Sequence, residues 1–272
     1  DPPVSDETPM SALREGRHRP QVCPEPVERP CRPSILSQLL TQYRPDSVCM
    51  GPECGYDWVW RRVTMKRQKN RRLGILGGTF NPPHLGHLIL AQAAIETNDM
   101  EKVIFIPCAV PPHKRISGLA SAEHRLAMVQ LAVEGDHRFE VSDMEIRRGG
   151  VSYAIDTVRG LREQHTGMEL CFIIGADSLK ELHQWKSIND LLPMCRFVTF
   201  ARQGFAVSGL KPDELKLGPV WGARLLEDVV GGREIGIASS DIRHRVAEGL
   251  SIRYLVPDAV DMYIAEHHMY TR

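Results

Sequence analysis

From residue 72 onward the chain alternates short apolar runs with longer amphipathic ones, and this alternation restricts the available folds more than any other feature. Arg72–Leu76, Val103–Pro107, Leu170–Ile174, Phe197–Phe200 and Glu234–Ile237 read as strands. Several of them lack the in/out alternation of a half-solvated sheet, as expected where both sheet faces are covered. Helical stretches are predicted between them at 84–97, 121–134, 152–165 and 178–192, with two more at 240–248 and 257–267. Ser121 and Ser152 are placed to N-cap, Gly249 to terminate a helix and Pro257 to open the last one. Strands alternating with helices imply right-handed crossovers, so the fold class is α/β: a doubly wound, mostly parallel sheet. Ligands of such sheets bind beyond the carboxyl ends of the strands, at the switch point. The stretch 203–233, with several glycines and Trp221, reads as a long loop or insertion.

The chain changes character upstream of this pattern. Ten of its 19 prolines precede residue 65, a density that blocks helix interiors and sheet ladders alike. Residues 1–70 therefore read as a low-complexity extension, disordered or not native, and residues 71–272 as one catalytic domain. The chain opens on Asp1, and Met65, just ahead of the basic run 66–72, offers a natural start that would leave 1–64 untranslated. Cys23, Cys31, Cys49 and Cys54 fall in the extension with no CxxC spacing, while Cys108, Cys171 and Cys195 sit on or beside predicted strands as small core residues. Over all 272 residues, 34 basic groups balance 34 acidic ones. That balance argues against a dedicated nucleic-acid binder, which carries a basic surplus. No run approaches the roughly 18 apolar residues of a membrane span, and no h-region of a signal peptide is present. The expected setting is cytoplasmic and reducing, and composition carries no signal of oligomeric state.

The most informative segment runs from Leu73 to His87: Leu-Gly-Ile-Leu-Gly-Gly-Thr-Phe-Asn-Pro-Pro-His-Leu-Gly-His. It reads as strand, glycine turn, then helix. Gly77 and Gly78 let the backbone approach a ligand closely, and the turn amides with the following helix N-terminus suit a phosphate. His84 and His87, three apart, project from one side of the first helical turn, and Gly86 between them keeps that surface low enough for a nucleotide. Leu88, Ala91 and Ile95 would carry the buried stripe. The segment is neither a Walker A loop nor a GxGxxG fingerprint. A metal-binding HxxH pair is the competing reading, but zinc helices favour i,i+4 spacing and no third ligand is evident.

Gly77 to His87 resembles the HxGH signature of the nucleotidyltransferase superfamily, and the region 73–267 is similar to bacterial nicotinate mononucleotide adenylyltransferases. Pro111-Pro112-His113-Lys114 resembles that family's PPHK loop, and Arg125 sits in the next helix as in relatives. Ser152-Tyr153-Ala154-Ile155-Asp156-Thr157 resembles its SYTxDT segment, Phe172 to Leu179 its FIIGADSL strand end, Trp185 its stacking tryptophan, and Ile237 to Arg243 its ISSTxIR motif. Two positions depart: Ala238 replaces the first Ser of ISSTxIR, and Ala154 replaces a Thr.

The resemblance implies a Rossmann-like nucleotidyltransferase fold and transfer of AMP from ATP to nicotinate mononucleotide, giving nicotinate adenine dinucleotide and pyrophosphate. The acceptor phosphate is already an anionic nucleophile, so the protein's task is to align the reactants and neutralise charge. His84, His87, Lys114 and Arg243 are the implied catalytic groups. Gly77, Gly78, Phe80, Gly175, Asp177, Ser239, Ser240 and Ile242 would bind ATP. Thr79, Asn81, Tyr153, Ala154, Thr157 and Trp185 would bind the mononucleotide. Mg²⁺ would be carried by the ATP phosphates rather than held by a protein cage. The partners are thus ATP and the mononucleotide, with no nucleic acid and no membrane. A different adenylyl- or cytidylyltransferase of the superfamily, nicotinamide mononucleotide as the preferred acceptor, and a nucleotide-binding module without turnover, are the alternatives.

Overall fold

The computed structural model describes residues 71–112, 118–201, 209–231 and 235–272. The readings that fall on residues 1–70 and on Lys114 lie outside the described residues. Among the described residues six strands form a single sheet: β1 (Arg72–Gly78), β2 (Lys102–Pro107), β3 (Phe139–Val141), β4 (Glu169–Gly175), β5 (Arg196–Phe200) and β6 (Val229–Val230). Their order is β3-β2-β1-β4-β5-β6, with every pairing parallel. The chain winds outward in one direction from β1 and then in the other from β4, so the switch point lies between these two central strands.

The uninterrupted apolar runs have a direct cause. Alternate residues of each strand enter two different cores on opposite faces. Leu73, Ile75, Ile104, Ile106, Phe172 and Ile174 pack on one face, where α4 (Ala154–Gln164) contributes Ile155, Val158 and Leu161. Leu76, Val103, Phe105, Cys171, Ile173 and Val198 pack on the other, against Ala91 and Ala94 of α1 (Leu85–Asn98) and Val129 of α2 (Ala122–Val133). A third apolar cluster joins Met128 of α2 to Ile242 of α8 (Ser239–Ala247) and to Val260 and Ile264 of α9 (Asp258–Glu266).

Four sequence readings need correction. The described part of the expected strand at 234–237 is coil, and the edge strand is Val229–Val230, paired with Thr199 and Phe200. Ile235 and Ile237 line a cavity, so their apolar side chains face that cavity rather than packing in a sheet. The helix expected at 178–192 is broken: α5 (Ala176–Glu181) runs into a 3₁₀ turn at Leu182–Gln184, Trp185 is extended, and a short α6 (Ile188–Leu191) follows. Leu179, Leu182, Ile188 and Leu191 are all buried, which explains the helix-like spacing. The 203–233 stretch is not simply a loop, because it holds a 3₁₀ turn at Pro212–Leu215 and α7 (Pro219–Glu227), with Leu215 and Leu225 in the core. Ser152 does not cap: Tyr153 takes the N-cap position, and Ser152 Oγ instead accepts from the Ala109 N–H at 2.9 Å. Ser121 does cap α2, accepting from the His124 N–H at 3.3 Å. Short β3 and α3 (Met144–Arg148) have too few residues to show a period.

Candidate active site

β1 ends in Gly77-Gly78, and the chain crosses the switch point through Thr79 to Pro83 before α1 begins. Phe80 turns this loop with φ +49°, in the left-handed region. His84 is the N-cap of α1 and His87 its third residue. The two rings lie 3.8 Å apart between centroids, and His87 meets the Phe80 ring at 4.9 Å. His87 Nδ1 accepts the His84 backbone N–H at 3.1 Å. In the neutral imidazole this puts the proton on Nε2, the tautomer that can donate to a phosphate oxygen. Gly86 has a steric role as well: a Cβ there would come within 2.9 Å of His84 Nδ1.

Two cavities open around this loop. The larger, about 530 Å³, is lined by Phe80, Asn81, His84, Gly86 and His87, and by Gly175 and Asp177 at the end of β4. Its far wall is the start of α8: Ser239, Ser240 and Arg243. Arg243 Nη1 donates to the Asn81 carbonyl at 2.8 Å, and Ser239 Oγ to the Pro82 carbonyl at 2.8 Å, so α8 is fastened to the histidine loop. The smaller cavity, about 150 Å³, is lined by Gly77, Gly78, Tyr153, Ala154 and Trp185, with Pro111 and Pro112 at its side. Thr79 borders both.

Trp185 is held edge-on by Phe172 and Phe197, with centroids at 5.7 and 6.2 Å, leaving it on the wall of the smaller cavity. Lys186, which the sequence reading passed over, sits 4.1 Å from the Tyr153 ring centroid on the same wall. Its position directly after the aromatic was the available signal. Glu145 on α3 also lines this cavity and was not anticipated. It is buried, and Thr157 Oγ donates to it. Burial pushes the Glu145 carboxyl up, against the lowering effect of hydrogen bonds from Thr157 and Ser152 and of the Arg148 charge.

Behind both cavities lies Arg125, only 1% exposed. Its guanidinium donates to three carbonyls: Nη1 to Thr79 at 2.9 Å, Nη2 to Ala109 at 2.9 Å and Nε to Ala120 at 3.1 Å. It therefore locks the loop after β1, the loop after β2 and the approach to α2 together. Beside it, burial pushes the Cys108 thiol up, opposed by the Arg125 charge. Cys171 and Cys195 are likewise raised by burial, each to about 12, as inert thiols of the interior.

The structure thus brings together most of the residues singled out in the sequence, with some redistribution. Gly77 and Gly78 border the smaller cavity rather than the larger, and Asn81 borders the larger rather than the smaller. Ile242 points away from both cavities and is fully buried in the third cluster. Thr157 is buried beneath the smaller cavity, hydrogen-bonded to Glu145 and to Arg148 Nη2 at 3.3 Å.

A parallel doubly wound sheet with a histidine-bearing loop at its switch point and two adjoining cavities fits a nucleotidyltransferase, and the comparisons with known proteins place the chain in that class. The family model described as cytidylyltransferase-like matches residues 75–245. A Halalkalibacterium halodurans protein named "probable nicotinate-nucleotide adenylyltransferase" is 42% identical over 201 residues, covering 74% of this chain and 91% of its own. A protein of the same name from Symbiobacterium thermophilum is 43% identical over 202 residues, covering 74% of this chain and 96% of its own. The fold is also similar to that of Plasmodium falciparum nicotinic acid mononucleotide adenylyltransferase complexed with NaAD, with TM-score 0.59 and 16% identity over 74% of this chain and 97% of that one. The chain belongs to the nicotinate-nucleotide adenylyltransferase family.

Proposed function

We propose that this enzyme transfers the adenylyl group of ATP to nicotinate mononucleotide, forming nicotinate adenine dinucleotide and releasing pyrophosphate. The observation that carries this reading is the pair of cavities sharing Thr79 at the end of β1. ATP in the larger cavity and the mononucleotide in the smaller would bring their phosphates together over the histidine loop. An oxygen of the mononucleotide 5′-phosphate attacks the α-phosphorus, a new P–O bond forms in line, and the bond to the β-phosphate oxygen breaks.

The chain's own groups have separable tasks in this scheme. Nε2–H of His87 donates to an α-phosphate oxygen as charge grows there, while His84 shapes the loop from its buried position at the head of α1. Arg243 and the α8 amides behind Ser239 and Ser240 hold the triphosphate. Lys114 is assigned to the mononucleotide phosphate by family likeness. Tyr153, Ala154 and Trp185 hold the pyridine ring.

Magnesium belongs to the same proposal. Among the described residues no group of three or more His, Cys, Asp or Glu could hold a metal. A single carboxylate, Asp177, with substrate oxygens making up the remaining ligands, is a donor set that suits this ion. When bound it would neutralise phosphate charge. A cytoplasmic, reducing setting is part of the reading too. Among the described residues Cys108, Cys171 and Cys195 are free thiols. No helix among those residues is long and apolar enough to cross a membrane.

His87→Ala tests the central assignment. Loss of one donor aimed at developing charge lowers turnover by roughly 10²-fold or more. Near-normal pyrophosphate release from that variant would remove His87 from the mechanism.

A further inference from the structure

The last residues of the chain reach back to the histidine loop. Tyr270 Oη donates to Asn81 Oδ1 at 2.8 Å. Asn81 is 2% exposed, and three further hydrogen bonds engage it. Oδ1 accepts a second bond from the Ala120 N–H at 3.0 Å, Nδ2 donates to the Gly118 carbonyl at 3.0 Å, and its own carbonyl accepts from Arg243. One residue of the loop therefore joins the C-terminal segment, the residues just after the stretch that carries Lys114, and the cavity arginine of α8.

The segment that delivers Tyr270 is anchored. Met269 is buried in the third cluster and its N–H donates to the Ile264 carbonyl at 3.0 Å. His268 and Tyr270 both adopt positive φ, +47° and +60°. Side-chain-bearing residues hold that conformation where surrounding contacts over-determine it. Burial pushes the Tyr270 phenol up, against Arg243 and Arg125, so its hydroxyl remains a donor at any ordinary pH.

We propose that Tyr270 is a positioning residue for adenylyl transfer, acting through the Asn81 carboxamide to hold the histidine loop and Arg243 in register. The proposal rests on reading the site as an adenylyl-transfer centre. Removing the hydroxyl leaves Asn81 Oδ1 still bonded to Ala120, so no buried acceptor is orphaned and folding is little affected. The loss falls on loop orientation, to which in-line transfer is sensitive.

The test is pyrophosphate release from ATP, magnesium and nicotinate mononucleotide, with thermal unfolding measured alongside. Tyr270→Phe keeps the ring and removes the donor. It is expected to lower kcat about three- to tenfold, the rate equivalent of one neutral hydrogen bond, with KM for both substrates within about twofold of wild type. Thr271→Ala is the control, since among the described residues Thr271 Oγ bonds only within the tail, to the His268 carbonyl at 3.0 Å; it should leave kcat unchanged. In an Asn81→Ala background Tyr270→Phe should have no further effect, whereas two independent structural losses would add. The proposal is overturned if Tyr270→Phe keeps kcat within twofold of wild type, if Thr271→Ala matches its loss, or if the Tyr270 and Asn81 effects add. A wild-type protein inactive with every mononucleotide would instead overturn the reading of the site, and this proposal with it.

Discussion

Replacing Arg125 by Met tests how the two loops of the site are held. The substitution roughly preserves side-chain length and removes every donor of a 1% exposed guanidinium. Three carbonyls, those of Thr79, Ala109 and Ala120, lose their partner. A buried acceptor left without a partner costs about 1–3 kcal/mol, these three are part-buried and so fall at the low end, and the desolvation cost of burying the charge is relieved. Taking the low end for each carbonyl gives a net loss of about 3 kcal/mol. For a domain of this size that corresponds to a Tm lower by about 6–12 °C. Arg125→Lys keeps the charge but not the planar fork that spans three carbonyls, and should fall almost as far. Differential scanning calorimetry of the three proteins is the assay. An unchanged Tm for the Met variant, or full recovery with Lys, would refute the view that geometry rather than charge makes Arg125 matter.

Gly86→Ala should separate activity from stability. The new Cβ would sit 2.9 and 3.0 Å from His84 Nδ1 and Cε1, forcing the ring to move by about half an ångström, and kcat should fall roughly tenfold. The helix gains up to about 1 kcal/mol of propensity, so Tm should not drop; retained kcat would show that His84 is free to shift. Near the start of β3, the Arg138 side chain holds the Asp136 carboxyl down at about 2. A folded-state value below the unfolded one means the pair stabilises above the ordinary carboxylate range and loses that effect as pH falls from about 4 toward about 2. The Tm difference between wild type and Asp136→Asn should be present at pH 6 and narrow below pH 4, and a gap that widens with acid would contradict the assignment.

Much of this molecule is legible in one dimension because two periodic signals coincide with burial. The runs at Ile75, Ile104 and Ile173 are apolar on both faces, and that doubly covered pattern is what a central parallel strand requires. The Gly77-to-His87 segment is legible for a chemical reason, since glycine turn, helix start and spaced histidines are neighbours in sequence as well as in space. Where legibility fails, apolarity serves something other than secondary structure. Ile235 and Ile237 face a cavity, and the 182–188 stretch keeps helical spacing while Trp185 is turned out to line a wall. Contacts between distant positions leave no local trace at all. Arg125 reaches Thr79, and Tyr270 reaches Asn81, through folding alone.

The most direct measurement is pyrophosphate release with ATP and magnesium, offering nicotinate and nicotinamide mononucleotides side by side. A strong preference for the acid is the expected result. Equal or reversed preference would keep the fold and the in-line transfer but reassign the pocket formed by Tyr153, Ala154 and Trp185. No release with either mononucleotide would contradict the account.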